Sequence, residues 1–73
     1  MAYLTTTEKI RLIVQRNNLT LGLLAERTGQ TRQNLSNKLG RGDFKESELR
    51  SIADVLGCEL QINFIDKETG EEI

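Results

Sequence analysis

Leu19–Leu39, LTLGLLAERTGQTRQNLSNKL, is the stretch whose spacing decides the fold. Leu21, Leu24, Ala25 and Thr28 recur at helical intervals, Gly29 interrupts them, and Leu35 and Leu39 resume the series. Thr20 and Thr31 each stand just before one of the two series, where a hydroxyl can accept from the free amides of a helix start. Gly29 accepts the left-handed backbone that a sharp reversal needs. The spacing predicts two short helices, Leu21–Thr28 and a second running from the Thr31 cap to about Leu39. Ala25 is small where they cross.

Working outward, Thr5-Thr6-Thr7-Glu8 has the pattern of a capping box, with Thr5 as cap and Glu8 reaching back to it. Ile10, Ile13, Val14 and Asn17 follow, with Leu12 off that stripe, so a first helix is predicted from about Thr6 to Asn17. Asn17-Asn18 is a stop signal, and Leu19 is expected to close the core between helices. Gly22 costs its helix up to about 1 kcal/mol relative to Ala. Leu23 lies off the buried stripe and is expected to be partly exposed. On the far side, Gly40-Arg41-Gly42-Asp43 reads as a loop. Phe44, Leu49, Ile52, Ala53 and Leu56 then predict a fourth helix over roughly Glu46–Leu56, ended by Gly57, with Glu46 and Glu48 favourable in its first turn.

After Gly57 the period changes. Leu60, Ile62 and Phe64 alternate with Gln61, Asn63 and Ile65, a strand pattern. Asp66–Gly70 is turn-like, and Glu71–Ile73 can return as a stub strand. The fold class expected is mainly α: a four-helix head over residues 1–57 containing a helix-turn-helix, and a short C-terminal β-strand or hairpin over 58–73.

Seventy-three residues make one domain at most, with little core. Cys58 is the only cysteine and there is no histidine, so neither an internal disulfide nor a zinc site can brace it. Cys58 is expected to be a half-buried small hydrophobe, and Tyr3 and Phe64 packing aromatics. An unpaired thiol, no apolar run near the length of a membrane span and no signal-peptide pattern point to a cytoplasmic chain without membrane or metal partners. Enzyme readings fail on inventory: there is no Ser–His or Cys–His pair and no GxxxxGK[ST] or GxGxxG loop, and no cofactor is implied.

The net charge of −1 hides an asymmetry. Residues 1–57 carry nine basic and six acidic side chains, or +3, while residues 58–73 carry one and five, or −4. From Leu19 through Gly42 the only acid is Glu26. On the helix after Thr31, Leu35 and Leu39 share the inner face, so Asn37 points nearly opposite with Gln33 and Asn34 at its sides, and Arg32 sits at the first turn. A polar helix face is by default simply solvated, and surface faces usually mix both signs of charge. This one is amides and guanidinium without carboxylates. In a major groove Gln or Asn pairs with adenine and Arg with guanine, and the first residues of the inserted helix reach deepest. Gln33 ranks first as base reader, then Arg32 and Asn37. Asn34, Lys38 and Arg41, with the free helix-start amides at Thr20 and Thr31, suit phosphates. The expected partner is double-stranded DNA.

A lone strand is marginal in water and leaves an unpaired edge. Pairing with the same strand of a second copy satisfies that edge and buries Leu60, Ile62, Phe64 and Ile65, so a homodimer is expected. The alternative is a hairpin folded back on its own helices.

Over about Glu8–Gly57 the chain resembles the lambda-repressor-like, Cro-type (XRE) helix-turn-helix proteins of bacteria and phages. The resemblance is carried by Leu24-Ala25, Gly29, Thr31-Arg32, Leu35-Ser36, Leu39, Leu49, Ile52-Ala53 and Leu56-Gly57 in that order and spacing. It implies an all-helical DNA-binding head acting as a dimeric transcriptional regulator on two-fold operators, with Arg32, Gln33 and Asn37 facing bases. Two departures stand out. Leu21 occupies the place where the family often has a phosphate-gripping Gln, and Lys38 a place that is often apolar. The segment after Gly57 loosely resembles the dimerisation strand of Cro-like members. The rival expectation is a protein-binding module, an antitoxin or antirepressor subunit, favoured by the acidic pI of about 5.4, by Leu21 and by Leu23.

Overall fold

The computed structural model describes residues 3–73 and contains four helices in the order α1 (Thr6–Arg16), α2 (Leu21–Arg27), α3 (Arg32–Arg41) and α4 (Glu46–Val55). Each start follows from a local cap. The Thr5 hydroxyl accepts from the Glu8 amide at 3.2 Å, and the Glu8 carboxylate accepts from the Thr5 amide at 3.0 Å, closing the capping box. Thr20 accepts from Leu23 and Thr31 from Asn34 in the same manner. Only α4 lacks a side-chain cap, since Lys45 holds that position; Glu46 and Glu48 in its first turn complement the helix dipole instead.

Three helices stop by the same device. At the end of α2, Gly29 turns left-handed with φ 73°, its amide donating to the Glu26 carbonyl while the Gln30 amide donates to Ala25. These are the paired bonds of a Schellman motif. Asn18 takes the equivalent place after α1, with φ 55°, and Gly57 after α4. The Leu19 amide donates to the Val14 carbonyl and carries its side chain back onto the core.

The core is Ile10 and Val14 from α1, Leu24 and Ala25 from α2, Leu35 and Leu39 from α3, and Ile52 with Leu56 from α4 and its end. Ile13, Leu19, Leu21, Phe44, Leu49 and Val55 pack around it half-buried. Leu24, Leu35 and Leu39 are sealed from solvent, so the α2–α3 pair holds the best-packed part of the molecule. The Thr7 hydroxyl donates to the Leu39 carbonyl at 2.8 Å, satisfying an orphan acceptor in the last turn of α3 and tying α1 to it.

Three expectations need correction. First, α3 runs two residues past Leu39: Gly40 and Arg41 are helical, and Gly42, with φ 67°, ends the helix. Gly40 has loop-forming composition, but the stop signal is Gly42, whose amide donates to Lys38. Second, Leu60–Ile65 forms no strand ladder. The two arms of the Asp66–Gly70 turn meet through one antiparallel bridge, Ile65 with Glu72, and through the Ile73 amide donating to Phe64. A strand ladder needs a neighbour along its length, and among the described residues the returning arm meets Leu60–Ile65 only at Phe64 and Ile65. Third, Tyr3, Phe64 and Cys58 are exposed rather than packed, because no element among the described residues covers them.

The arm divides in two. Leu60 is half-buried and, with Ile62, borders an open apolar groove whose other walls are Ile10 and Ile13 of α1 and Leu49 and Ile52 of α4. Beyond Ile62 the chain leaves the helices: Phe64 is 73% exposed and Ile65 61%. No helix among the described residues is long and apolar enough to cross a membrane.

Candidate nucleic-acid interface

The outer face of α3 is built by opposition. Leu35 and Leu39 are buried one turn apart, so the positions across the helix axis must face water. Those positions are Gln33, Asn37 and Gly40, flanked on one side by Asn34 and Arg41 and on the other by Arg32 and Ser36, and all seven are exposed. Gln33 and Asn37 therefore share one accessible face, while Arg32, exposed in the first turn, lies on the side of the helix nearer Leu39 and α2. No acid occurs between Gly29 and Gly42, so the face carries no negative charge of its own.

Arg32 is placed by a feature the spacing did not reveal. A Cβ built on Gly22 would lie 3.8 Å from the Arg32 Cδ, so the aliphatic stem of Arg32 runs across the start of α2 where Gly22 presents no side chain. By composition Gly22 carries only a helix penalty; the signal for its second role is a glycine near the start of α2, ten residues before a long side chain. Neither Arg32 nor Arg41 forms an ion pair among the described residues.

The amides are ordered by one another. Gln33 Nε2 donates to Asn37 Oδ1 at 3.1 Å, and Asn34 Nδ2 donates to Gln30 Oε1 at 3.3 Å. Gln30 in turn donates to the Thr28 hydroxyl, which donates to the Leu24 carbonyl. Asn34 is thus joined to the α2–α3 turn. The Thr20 and Thr31 hydroxyls are occupied as helix caps.

Lys38 stands apart from the other expected phosphate ligands. It is half-buried, and its ammonium is paired with the Glu48 carboxylate across the α3–α4 contact. The hydrogen bond from Lys38 is the main reason the Glu48 carboxyl titrates below the usual glutamate value. The pair satisfies the ammonium of this half-buried lysine within the molecule.

The face holds charge and hydrogen-bonding groups. Among the described residues no group of three or more His, Cys, Asp or Glu is gathered as a metal site. No protein-family model matches the chain, and no curated protein or solved structure matches it either.

Proposed function

We propose that the chain is a sequence-specific binder of double-stranded DNA, a small homodimeric transcriptional repressor of the lambda-repressor-like kind, in which α2 and α3 form the helix-turn-helix and α3 enters the major groove. The observation that carries this reading is the exposed, acid-free outer face of α3, where Gln33 and Asn37 stand together on a helix braced by Leu35 and Leu39, with Arg32 exposed at its first turn. Gln33 is the principal base reader, Arg32 and Asn37 assist, and Arg41, Asn34 and the helix starts at Thr20 and Thr31 position the backbone. Lys38 contributes only after leaving Glu48. The role is binding rather than catalysis, and it implies a cytoplasmic, nucleoid-associated protein.

The dimer is supported by the arm. Ile62, Phe64, Ile65 and Ile73 are exposed on a segment with an unpaired edge. Pairing Leu60–Ile65 with the same segment of a second copy gives both edges a partner and covers these side chains. Two copies then present α3 at half-sites about 34 Å apart.

The test is selection of bound duplexes from a random pool at low salt. The expected result is an enriched, two-fold symmetric sequence whose binding weakens steeply with salt as counterions are displaced. Gln33→Ala should relax preference at one position of each half-site, by about 1–3 kcal/mol. A second reading, a protein-binding module such as an antitoxin or antirepressor subunit, is favoured by the same arm, which is apolar at its tip and carries a charge of −4. That reading expects no duplex to be retained at low salt.

A further inference from the structure

The two amide pairs along α3 differ in what they leave free. Asn34 and Gln30 are tied through Thr28 to the α2 backbone. Gln33 and Asn37 lie on the outermost face, and their mutual bond is the only side-chain hydrogen bond either makes among the described residues.

A primary amide has two N–H donors and one carbonyl oxygen. With one Gln33 N–H given to Asn37 Oδ1, the Gln33 amide keeps one N–H and Oε1, a single donor beside a single acceptor. Adenine presents the complement in the major groove, the N7 acceptor beside an N6–H donor. Guanine presents two acceptors, N7 and O6, and calls for two donors. An unrestrained glutamine can turn about its broad terminal torsion and offer guanine both N–H groups. A glutamine whose N–H is held by Asn37 Oδ1 can do so only by breaking that bond or by turning both amides over together.

We propose that Asn37 is a positioning residue that sharpens the choice of adenine over guanine by Gln33, by holding one of the two Gln33 N–H donors. The inference rests on the reading of α3 as the DNA-facing helix and adds to it the base preferred and the residue that enforces the preference. The Asn37 Nδ2 donors remain available to a neighbouring base.

The experiment uses the full chain and the duplex it selects, synthesised with adenine or guanine at the position that Gln33→Ala relaxes. The ratio of the two dissociation constants is the readout. Asn37→Ala should lower the adenine-to-guanine preference by about threefold to tenfold, the worth of one hydrogen bond, chiefly through better guanine binding. Asn37→Asp keeps an acceptor in place and should preserve the ratio, although its carboxylate weakens binding to both duplexes. Asn37 is exposed, so neither variant should shift the melting temperature much, and a purely structural role would change both affinities equally. An unchanged ratio in Asn37→Ala, or a ratio that falls as far in Asn37→Asp as in Asn37→Ala, overturns the proposal while leaving the DNA reading intact. A Gln33→Ala chain that relaxes no position also overturns it. A parent chain that enriches no duplex overturns both.

Discussion

Glu8 and Glu48 both titrate below the ordinary glutamate value of 4.5, from different causes. Glu8 is held down first by the Thr5 amide in the capping box, Glu48 by the hydrogen bond from Lys38. A carboxyl whose folded pKa is depressed lends stability that is complete above its unfolded pKa. That stability is lost as pH falls through the lower folded value. Melting temperature should therefore be flat near neutrality and begin to drop as acid passes 4.5, the loss continuing below it. Glu48→Gln should flatten part of that acid slope, because one of the two depressed groups is gone. The same variant releases the Lys38 ammonium to solvent. If Lys38 then reaches a phosphate, the dependence of log affinity on log salt should steepen by about one contact. Thermal melts from pH 7 to pH 3 and a salt titration on a selected duplex measure the two effects. Identical acid slopes in parent and variant would show that the Lys38–Glu48 pair adds nothing to stability.

At the level of the helix, two glycines make opposite demands of the backbone: Gly29 turns left-handed, whereas Gly40 sits inside α3 with nothing within 4 Å of where its Cβ would be. Gly29→Ala should destabilise the fold by about 1–2 kcal/mol, the cost of a left-handed Cβ. Gly40→Ala should stabilise it by about 0.5–1 kcal/mol, since alanine restricts the unfolded chain and favours the helix. For a chain of this size each kcal/mol moves the melting temperature by about 4–8 °C, so the two variants should bracket the parent in a thermal scan. The contrast also marks what the sequence could reveal. Helix starts at Thr5, Thr20 and Thr31 and the stops at Asn18, Gly29 and Gly57 were legible because caps act within a few residues. The end of α3 was not, because Gly40 and Gly42 carry the same composition and only their backbone angles distinguish a tolerated glycine from a stop. The α3 face could be read because Leu35 and Leu39 fix it by period alone. The Lys38–Glu48 pair and the Gly22–Arg32 contact could not, since both depend on how separate helices cross.

Taken whole, the molecule is longer than its residue count requires. It measures 42 × 23 × 23 Å with a radius of gyration of 13.7 Å, against about 11 Å for a compact domain of this length. The excess fits an arm that leaves the helices after Ile62 and exposes Phe64 and Ile65. Strand pairing is a non-local property, so an alternating pattern specifies a strand only when some chain supplies the other edge. If a second copy supplies it, Phe64 is the largest side chain in that contact, and its replacement tests the arrangement without touching the core. Phe64→Asp should leave helical content by circular dichroism unchanged, because the ring is already 73% exposed in one chain. It should convert the species seen by light scattering from dimer to monomer, placing a carboxylate in an apolar contact beside an arm that is already acidic. Losing the second head removes the gain from simultaneous engagement, so affinity for the symmetric duplex should fall by roughly 10²-fold or more, while affinity for an isolated half-site stays near that of the parent. A Phe64→Asp chain that remains dimeric would place the contact between copies somewhere other than this arm, and a parent chain that scatters as a monomer at every concentration would overturn the dimer itself.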